Sequence, residues 1–326
     1  MRVVVTGGAG FIGRAIVERL STRGNAVTAL VRDPGRARFL EQDGVTLAES
    51  ALADVAQITA AARGADAVIH GAGSYRIGIR PSERPAMWDA NVGTTERVLG
   101  AGVAADVPRI VYISTLNVFG NTHGAVVDDS YRRDLTEGFV SWYDETKYRA
   151  HEAAERFAAG GAPIVIVQPG QTYGPHDHSQ ASEQIERAHG GTLPFIGFAD
   201  AGLAWVHVHD VAGAIVAAVD RGRIGEAYSL AGDCRRMGEA VELAARIGGR
   251  RPPRVRVPTR LLRLIAPLND RLGGLLGSPP NLAEVIRASD GVTYWASHDK
   301  ASRELGFAPR SLEHGVADTW GRAAPT

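Results

Sequence analysis

The chain has 326 residues, of which 44% are hydrophobic and 22% charged, and its 36 lysines and arginines balance its 36 aspartates and glutamates. This composition is that of a globular protein and excludes a disordered chain, a collagen-like repeat and a coiled coil. The formal net charge of zero creates no overall field that would attract nucleic acid or an anionic membrane surface, so we expect no nucleic-acid partner.

The chain carries no sign of export or membrane insertion. Its single cysteine, Cys234, permits no intramolecular disulfide and no cysteine-built zinc site. From Met1 the sequence begins with a strand-like run rather than a secretory leader. The most apolar stretch, Leu261 to Leu276, is interrupted by Pro267 and by Asn269 to Arg271, so we expect no transmembrane segment. These features predict a cytoplasmic protein.

Short β-branched runs alternate with longer alanine-rich segments through the first half of the chain, as is typical of βαβ units that form a parallel sheet. The first strands are predicted at Arg2–Thr6, Ala26–Arg32, Val45–Ala48, Ala67–His70, Arg109–Ser114 and Ile164–Gln168. The helices between and after them are predicted at Gly10–Arg23, Asp54–Arg63, Glu83–Ala104 and Tyr143–Ala159.

After Gly174 the pattern loosens, with two further strands predicted near Trp205–Val208 and Ala227–Leu230. We therefore predict an α/β fold: a Rossmann-type doubly wound parallel sheet with a smaller, discontinuous C-terminal substrate-binding region. Residues 1–174 would form the dinucleotide-binding domain, with a return near 205–230. Residues 175–326 would form mainly the substrate-binding region.

The first strand leads directly into Gly7-Gly8-Ala9-Gly10-Phe11-Ile12-Gly13, and a helix is predicted to follow. Glycines at these three spacings permit a tight turn, close approach of the backbone to a pyrophosphate, and packing of the helix near the strand. The helix N-terminus would present its N–H groups and the positive end of its dipole to the phosphates. This arrangement predicts a dinucleotide site.

The end of the second strand bears on the choice of dinucleotide, because an acidic residue there accepts a hydrogen bond from the ribose 2′-hydroxyl of NAD. Val31 stands at that position and Arg32 follows, with Arg36 and Arg38 close behind. Guanidinium groups suit a 2′-phosphate in charge and geometry. We therefore expect NADP(H) to be preferred over NAD(H). The alternative is a solvated basic turn.

Tyr143 and Lys147 lie four residues apart in Tyr143-Asp144-Glu145-Thr146-Lys147. On a helix this spacing makes the phenol and the ammonium neighbours on one face. A nearby ammonium favours the phenolate and lowers the pKa of a tyrosine, which can then act as acid or base near neutral pH. The alternative is an exposed helix pair without a catalytic role.

Six segments distributed along the chain form a set of motifs. They are Gly7 to Gly13, Asn91 to Thr95, Tyr112 to Gly120, Tyr143 to Lys147, Pro169 to Pro175 and Val206 to Asp210. The set resembles the extended short-chain dehydrogenase/reductase family, within the NAD-dependent epimerase/dehydratase superfamily. Three shorter runs are most similar to its dihydroflavonol-reductase-like and hopanoid-associated epimerase-like members: Gly73 to Arg76, Gln168 to Gly170 and Arg223 to Glu226.

The resemblance implies an enzyme with a Thr-Tyr-Lys site. Tyr143 would exchange a proton with the substrate oxygen, Lys147 would lower its pKa and hold the nicotinamide ribose, and Thr115 would hydrogen-bond the reacting oxygen. Asn91 is the supporting residue and Ser114 the reserve candidate for Thr115. The implied cofactor-binding residues are Gly7, Gly10, Phe11, Ile12, Gly13, Arg32, Arg36, Leu52, Ala72, Lys147 and Pro169. The implied substrate pocket comprises Tyr75, Arg76, Asn117, Gln171 and Trp205.

Departures from the family's pattern narrow the expected reaction. Leu116-Asn117 replaces the Asp-Glu pair of the family's sugar dehydratases, so we expect no dehydration. Leu203 and Ala204 stand where the nucleotide-sugar enzymes usually carry a phosphate-binding arginine, and Gln168 replaces a common strand-end arginine. We therefore expect an NAD(P)-dependent oxidoreductase that transfers hydride between the nicotinamide and a small-molecule ketone, aldehyde or alcohol. Whether that substrate is hydrophobic stays open.

Two other functions stay open beside the oxidoreductase. A nucleotide-sugar 4-epimerase with tightly bound NAD needs the same tyrosine, and the arginines from Arg250 to Arg260 offer another place for a phosphate. A non-catalytic dinucleotide sensor would share the fold, although the intact Thr115, Tyr143 and Lys147 disfavour it.

Three further expectations concern the second half of the chain and the assembly. His207 and His209 share one strand face, but we expect Asp210 to cap a helix beginning at Val211 and expect no metal site. The leucine-rich stretch Leu261 to Leu276 predicts an amphipathic covering helix, with a lid over a hydrophobic ketone or a membrane-touching surface as alternatives. The family resemblance implies a homodimer formed through the helices near Glu83–Ala104 and Tyr143–Ala159.

Overall fold

The computed structural model of the protein describes residues 1–264 and 280–321. Its main sheet has seven parallel strands in the order β3-β2-β1-β4-β5-β6-β9. They are β1 (Arg2–Thr6), β2 (Ala26–Val31), β3 (Val45–Glu49), β4 (Ala67–His70), β5 (Ile110–Ile113), β6 (Ile164–Pro169) and β9 (Ala227–Leu230). The strand order reverses between β1 and β4, which is the switch point where doubly wound sheets bind ligands. The predicted fold class is confirmed.

Helices cover both faces of this sheet. One face packs against α1 (Phe11–Thr22) and α7 (Val208–Arg221), and the other against α2 (Val55–Ala62), α4 (Thr94–Ala104) and α5 (Trp142–Ala159). Successive strand residues alternate between the two cores: Val165 and Val167 face the first, Ile164 and Ile166 the second. Burial on both faces explains why the strands are apolar throughout rather than alternating.

The single helix predicted at Glu83–Ala104 is interrupted. A short helix, α3 (Arg84–Trp88), leads into a π-helical turn at Asp89–Gly93, and α4 follows. The hydroxyl groups of Thr94 and Thr95 donate to the carbonyl oxygens of Asp89 (3.1 Å) and Asn91 (2.6 Å), and side-chain bonds of this kind compete with the regular helical pattern. The widened turn buries Asn91.

The C-terminal region is built around a second sheet. Its central strand β8 (Gly202–His207) pairs antiparallel with β10 (Asp233–Arg236) and parallel with both β7 (Gln171–Tyr173) and β11 (Thr293–Tyr294). The helices that follow along the chain are α6 (Gln180–Gly190), α8 (Met237–Ile247), α9 (Leu282–Ser289), α10 (Asp299–Leu305) and α11 (Leu312–Trp320). Of the second sheet the sequence pattern predicted only β8, because β7 and β11 are three and two residues long and β10 carries three charged residues among its four. The division of the chain at residue 174 stays a prediction.

The expected cap of α7 is wrong. The helix begins at Val208 rather than Val211, and the ring of His207 accepts the backbone N–H of His209 at 3.3 Å. Asp210 instead pairs with the guanidinium of Arg310 at 2.8 Å. The carboxylate of Asp210 does not cap the helix because it binds the guanidinium of Arg310, a residue distant in sequence.

Most of the leucine-rich stretch Leu261 to Leu276 lies outside the described residues, since 265–279 are not described. Within the ranges 1–264 and 280–321, no helix combines the length and apolar character that crossing a membrane requires.

Candidate active site

The glycine turn after β1 has the geometry of an anion cradle. Gly7 has φ +75°, and a Cβ there would lie 2.6 Å from the backbone nitrogen of Ala72. A Cβ on Gly13 would collide with the carbonyl oxygen of Gly7. Gly10 is the N-cap of α1 and has no side-chain oxygen to offer the first N–H groups, and the first turn is free of acidic residues. These features fit a dinucleotide pyrophosphate.

The carboxyl ends of the parallel strands bring the remaining predicted cofactor residues to the same edge of the sheet. Arg32 follows β2, Leu52 follows β3, Ala72 follows β4, and Pro169 ends β6. Leu52 is buried with φ +58°, and its carbonyl oxygen accepts from the side chain of Arg97 at 2.8 Å. This edge is where dinucleotides lie in doubly wound sheets.

The arginines after β2 are exposed. Arg32 and Arg38 both face solvent, and the side chain of Arg36 is 91% exposed while its Nε lies 3.6 Å from the carboxylate of Asp33. A fourth arginine, Arg14 on α1, rests with its guanidinium carbon 5.0 Å from the ring centroid of Phe39. This contact forms because the fold returns the residues that follow β2 to α1.

Tyr143 and Lys147 lie in the first two turns of α5. The helix begins where the hydroxyl of Ser141 accepts the N–H of Asp144 at 3.0 Å. Tyr143 is 7% exposed, and its ring meets the ring of Tyr75 edge to face with centroids 4.8 Å apart. The ammonium of Lys147 donates to the carbonyl oxygen of Ile113 at 3.1 Å and lies 5.3 Å from the ring centroid of Tyr112.

Burial controls the ionisation of both groups. It raises the pKa of Tyr143 above its usual value, the nearby Tyr75 adds to the effect, and the side chain of Thr115 acts in the opposite direction. This differs from the lowered tyrosine pKa expected from the sequence, because desolvation disfavours the phenolate. Burial also lowers the pKa of Lys147 to about 8.

The two hydroxyl candidates at the end of β5 have different surroundings. Thr115 caps a short 3₁₀ helix at Leu116–Phe119, and its Oγ1 donates to the side-chain oxygen of Asn117 at 3.1 Å. The hydroxyl of Ser114 instead lies 2.9 Å from Nδ1 of His151, deeper under α5. Thr115, and not Ser114, is among the groups that influence the pKa of Tyr143, which it lowers, and this favours Thr115.

Asn91 connects three parts of the site. Its side-chain oxygen accepts the N–H of Ser74 at 2.7 Å, and its amide donates to the carbonyl oxygen of Ser74 at 3.1 Å and to the hydroxyl of Thr146 at 2.9 Å. Since Thr146 immediately precedes Lys147, Asn91 joins the loop after β4 to the helix that carries the tyrosine and the lysine.

A buried ion pair that sequence reasoning missed supports the start of α5. The guanidinium of Arg133 contacts both carboxylate oxygens of Asp144, at 2.8 and 3.1 Å, and their side chains are 4% and 0% exposed. Burial raises the pKa of Asp144, while Arg133 acts in the opposite direction. The one signal in the sequence that could have indicated this ion pair is the carboxylate of Asp144, directly after Tyr143.

The predicted substrate-pocket residues do not all come together. Tyr75 is 55% exposed beside Tyr143, and Asn117 contacts Thr115. Arg76 is exposed and pairs with Glu83 at 2.6 Å, and Gln171 is half-buried in β7. Trp205 is fully buried in the C-terminal core, where its indole N–H donates to the carbonyl oxygen of Arg235 at 3.3 Å. The fold therefore places Trp205 in packing rather than at a surface.

No group of three or more histidine, cysteine, aspartate or glutamate side chains within residues 1–264 and 280–321 is arranged to hold a metal ion. His207 is buried, and its Nε2 lies 3.2 Å from the hydroxyl of Thr319.

Comparison with known proteins gives consistent results. Residues 3–231 match the family model described as "NAD dependent epimerase/dehydratase family". A Synechocystis relative named for dihydroflavonol 4-reductase is 28% identical over 96% of this chain and 92% of its own. A 2-alkyl-3-oxoalkanoate reductase from Stenotrophomonas maltophilia is 29% identical over 97% of each chain. The crystal structure of a double mutant of DesIV, a dTDP-glucose 4,6-dehydratase from Streptomyces venezuelae with NAD bound, is 23% identical with a TM-score of 0.77, covering 98% of this chain and 96% of that one.

Proposed function

Because this chain belongs to the NAD dependent epimerase/dehydratase family, as an enzyme of the extended short-chain dehydrogenase/reductase type, we propose that it is an NADP(H)-preferring carbonyl reductase or alcohol dehydrogenase. The observation that carries the proposal is the grouping of Tyr143, Lys147 and Thr115 at the carboxyl edge of the main sheet, on the same side as the glycine turn. The reductase names of several relatives support it.

Tyr143, Thr115 and Lys147 have separate roles in the proposed reaction. The nicotinamide cofactor, when bound, supplies or accepts the hydride at the substrate carbon. Tyr143 donates its phenolic proton to the carbonyl oxygen, and burial suits this acid role because it keeps the phenol protonated. Thr115 donates a hydrogen bond to the same oxygen in place of its bond to Asn117. In the reverse direction the Lys147 ammonium stabilises the tyrosinate.

The residues that would hold the cofactor are Gly7, Gly10 and Gly13 at the pyrophosphate, Leu52 and Ala72 near the adenosine, and Lys147 and Pro169 near the nicotinamide. Arg32 and Arg36 favour NADP(H), because two exposed guanidinium groups after β2 can pair with a 2′-phosphate. In an NAD site, a carboxylate at the end of the second strand accepts a hydrogen bond from the ribose 2′-hydroxyl. In this chain Val31 stands at that position.

The site favours a hydrophobic ketone or aldehyde. The ring of Tyr75 packs against Tyr143 and the amide oxygen of Asn117 accepts from Thr115, so these two side chains offer apolar area and neutral hydrogen bonds. The 2-alkyl-3-oxoalkanoate reductase among the relatives is named for a ketone that carries alkyl chains together with a carboxylate. A homodimer and a cytoplasmic location stay predictions.

Cofactor exchange tests the proposal. Absorbance and mass spectrometry first establish whether the purified protein carries a nucleotide, and NADPH and NADH are then titrated by fluorescence. We expect exchangeable binding, tighter for NADPH, and NADPH oxidation with hydrophobic ketones or aldehydes. Protein that retains NAD without exchange and fails to turn over carbonyl compounds would overturn the proposal in favour of a nucleotide-sugar 4-epimerase.

A further inference from the structure

Buried hydrogen bonds connect the end of β1 to α5 through a series of side chains, with His70 near the centre of the series. Nδ1 of His70 lies 2.7 Å from the hydroxyl of Thr6, and Nε2 lies 3.1 Å from the hydroxyl of Thr95. Thr6 is the last residue of β1, directly before the glycine turn, and Thr95 lies in α4. All three side chains are at most 1% exposed.

The series continues beyond these residues at both ends. At one end, the backbone N–H of Ala72 donates to the hydroxyl of Thr6 at 3.4 Å. At the other, Thr95 donates to the carbonyl oxygen of Asn91 at 2.6 Å, the amide of Asn91 donates to Thr146 at 2.9 Å, and Thr146 donates to the carbonyl oxygen of Tyr143 at 3.0 Å. Asn91 and Thr146 are at most 2% exposed.

The donors and acceptors of this series follow from chemistry. The single hydroxyl proton of Thr95 is committed to the Asn91 carbonyl, so Thr95 must accept from Nε2–H of His70. A neutral imidazole with its proton on Nε2 has an acceptor at Nδ1, so Thr6 donates there. Thr6 can then accept from Ala72. Every bond points from the cofactor turn towards Asn91, and bonds aligned in this way strengthen one another.

The surroundings of His70 keep its ring neutral, and this donor-to-acceptor direction of the hydrogen bonds requires a neutral ring. The ring stacks on Tyr112 with centroids 5.7 Å apart, and the ammonium of Lys147 lies 5.3 Å from the centroid of the same tyrosine ring. Burial and the charge of Lys147 lower the pKa of His70 to about 3. A charged imidazolium would put a second donor against Thr6 and repel the ammonium of the proposed site.

We propose that His70 is a positioning residue that couples the cofactor turn, through Thr95, to Asn91 and so to the helix that carries Tyr143 and Lys147. Its ring nitrogens bond to Thr6 and Thr95 rather than to Tyr143, Lys147 or Thr115, and its effect on the rate rests on the proposed function of the tyrosine and the lysine. Losing the coupling lets Asn91 and α5 shift relative to the cofactor turn, and misplacement of catalytic groups lowers kcat.

A double-mutant cycle tests this coupling. The full-length variants are His70→Phe, which keeps the ring stacked on Tyr112 but removes both nitrogens, Thr95→Val, and the two combined. We expect each single change to lower kcat about tenfold, the equivalent of about 1.4 kcal/mol, with substrate KM and NADPH affinity within about twofold. The double variant should be no slower than the slower single variant, because either change already breaks the series. Additive losses, or an unchanged kcat in His70→Phe, would overturn the proposal.

The matched control is Thr122→Val, which removes a different buried threonine pair, the 2.9 Å contact between the hydroxyls of Thr122 and Thr293. We expect it to lower the melting temperature without lowering kcat. If His70→Phe fails to fold, His70→Gln replaces it in the cycle, because an amide at the Nε2 position retains the bond to Thr95. That variant should then retain more of the wild-type kcat than Thr95→Val does, and equal losses would contradict the proposal.

A second readout needs no turnover and separates this proposal from the proposed function. Nitrogen-15 NMR of the histidine rings at pH 7 should show His70 as the neutral tautomer with its proton on Nε2. Thr95→Val should shift the Nε2 resonance of His70. A proton on Nδ1, or a charged ring, would refute the coupling even in an active enzyme, whereas absence of carbonyl turnover with the expected tautomer would refute only the proposed function.

Discussion

The carboxylate of Glu284 accepts the backbone N–H of Trp142 at 2.6 Å, although 142 positions separate the two residues in the chain. Trp142 is the first residue of α5 and directly precedes Tyr143, while Glu284 lies in α9 of the C-terminal region and is 1% exposed. The side-chain amide of Asn281 donates to the other carboxylate oxygen at 3.0 Å. Glu284 thus brings a carboxylate to the N-terminus of α5, where the helix dipole favours a negative charge.

Substitution of Glu284 should therefore affect both stability and catalysis. We expect Glu284→Ala to lower the free energy of unfolding by about 1–3 kcal/mol, since the N–H of Trp142 and the amide of Asn281 lose a buried acceptor. We also expect kcat to fall, with Glu284→Gln intermediate because its amide oxygen still accepts one bond. Urea unfolding and steady-state kinetics measure the two effects.

Glu239 provides the matched control for that substitution. Its carboxylate accepts the backbone N–H of Arg236 at 2.8 Å at the start of α8, away from the candidate site. Glu239→Ala should weaken its helix start without changing kcat. Equal kinetic effects in the two alanine variants would contradict a specific role for Glu284.

Tyr143→Phe should remove the proton donor while leaving the ring in contact with Tyr75. We expect kcat for carbonyl reduction to fall by roughly 10²–10⁴, the usual contribution of a general acid, with NADPH affinity unchanged. Tyr148→Phe serves as the control and should stay active. Tyr148 lies on the same helix as Tyr143, and its ring packs near Phe139 and Arg133. Near-normal turnover by Tyr143→Phe would refute the proposed site.

The paired change Arg32→Ala and Arg36→Ala tests the NADP(H) preference. If these guanidinium groups hold the 2′-phosphate, the double variant should bind NADPH roughly tenfold to a hundredfold more weakly, the range expected for a charge-assisted hydrogen bond. NADH affinity should change less than about twofold, because NADH lacks that phosphate. Arg303→Ala, at an exposed arginine of α10, should leave both affinities unchanged. Parallel losses for both nucleotides would contradict 2′-phosphate recognition.

Acid should destabilise the protein through its buried histidines. The pKa of His70 falls from 6.5 to about 3 on folding, mainly through burial and then through the charge of Lys147. Between these values the unfolded chain binds the extra proton, so the stabilisation is complete above pH 6.5 and is lost as pH falls towards 3, by about 1.4 kcal/mol per pH unit. From pH 7 to 5, wild type should lose roughly 2 kcal/mol more of its unfolding free energy than His70→Phe.

Urea titrations at pH 7, 6 and 5 measure this difference. His314→Phe, at an exposed histidine of α11, should follow the wild-type pH dependence. Parallel curves for wild type and His70→Phe would show that His70 takes up no extra proton on unfolding over this range.

Several features of the site were predictable because they depend on local chemistry. The glycine spacing from Gly7 to Gly13 requires a turn that only glycine permits, and the four-residue interval between Tyr143 and Lys147 requires only helical geometry. The apolar strands were predictable because both faces of the main sheet are covered. These properties are encoded within a few neighbouring residues, and the structure agrees with them.

Other features were decided only by contacts between distant parts of the chain. The different surroundings of Thr115 and Ser114, beside Asn117 and beside His151, depend on how β5 and α5 pack, and the burial of Trp205 depends on the second sheet. The raised pKa of Tyr143 arises from desolvation by elements far away in sequence. By itself, the sequence determined the fold class, the cofactor turn and the tyrosine–lysine pair, because local periodicity and backbone sterics suffice for them. Tertiary structure decided which hydrogen bonds His70, Asn91 and Glu284 make, because hydrogen bonds between residues remote in sequence form only once the chain has packed.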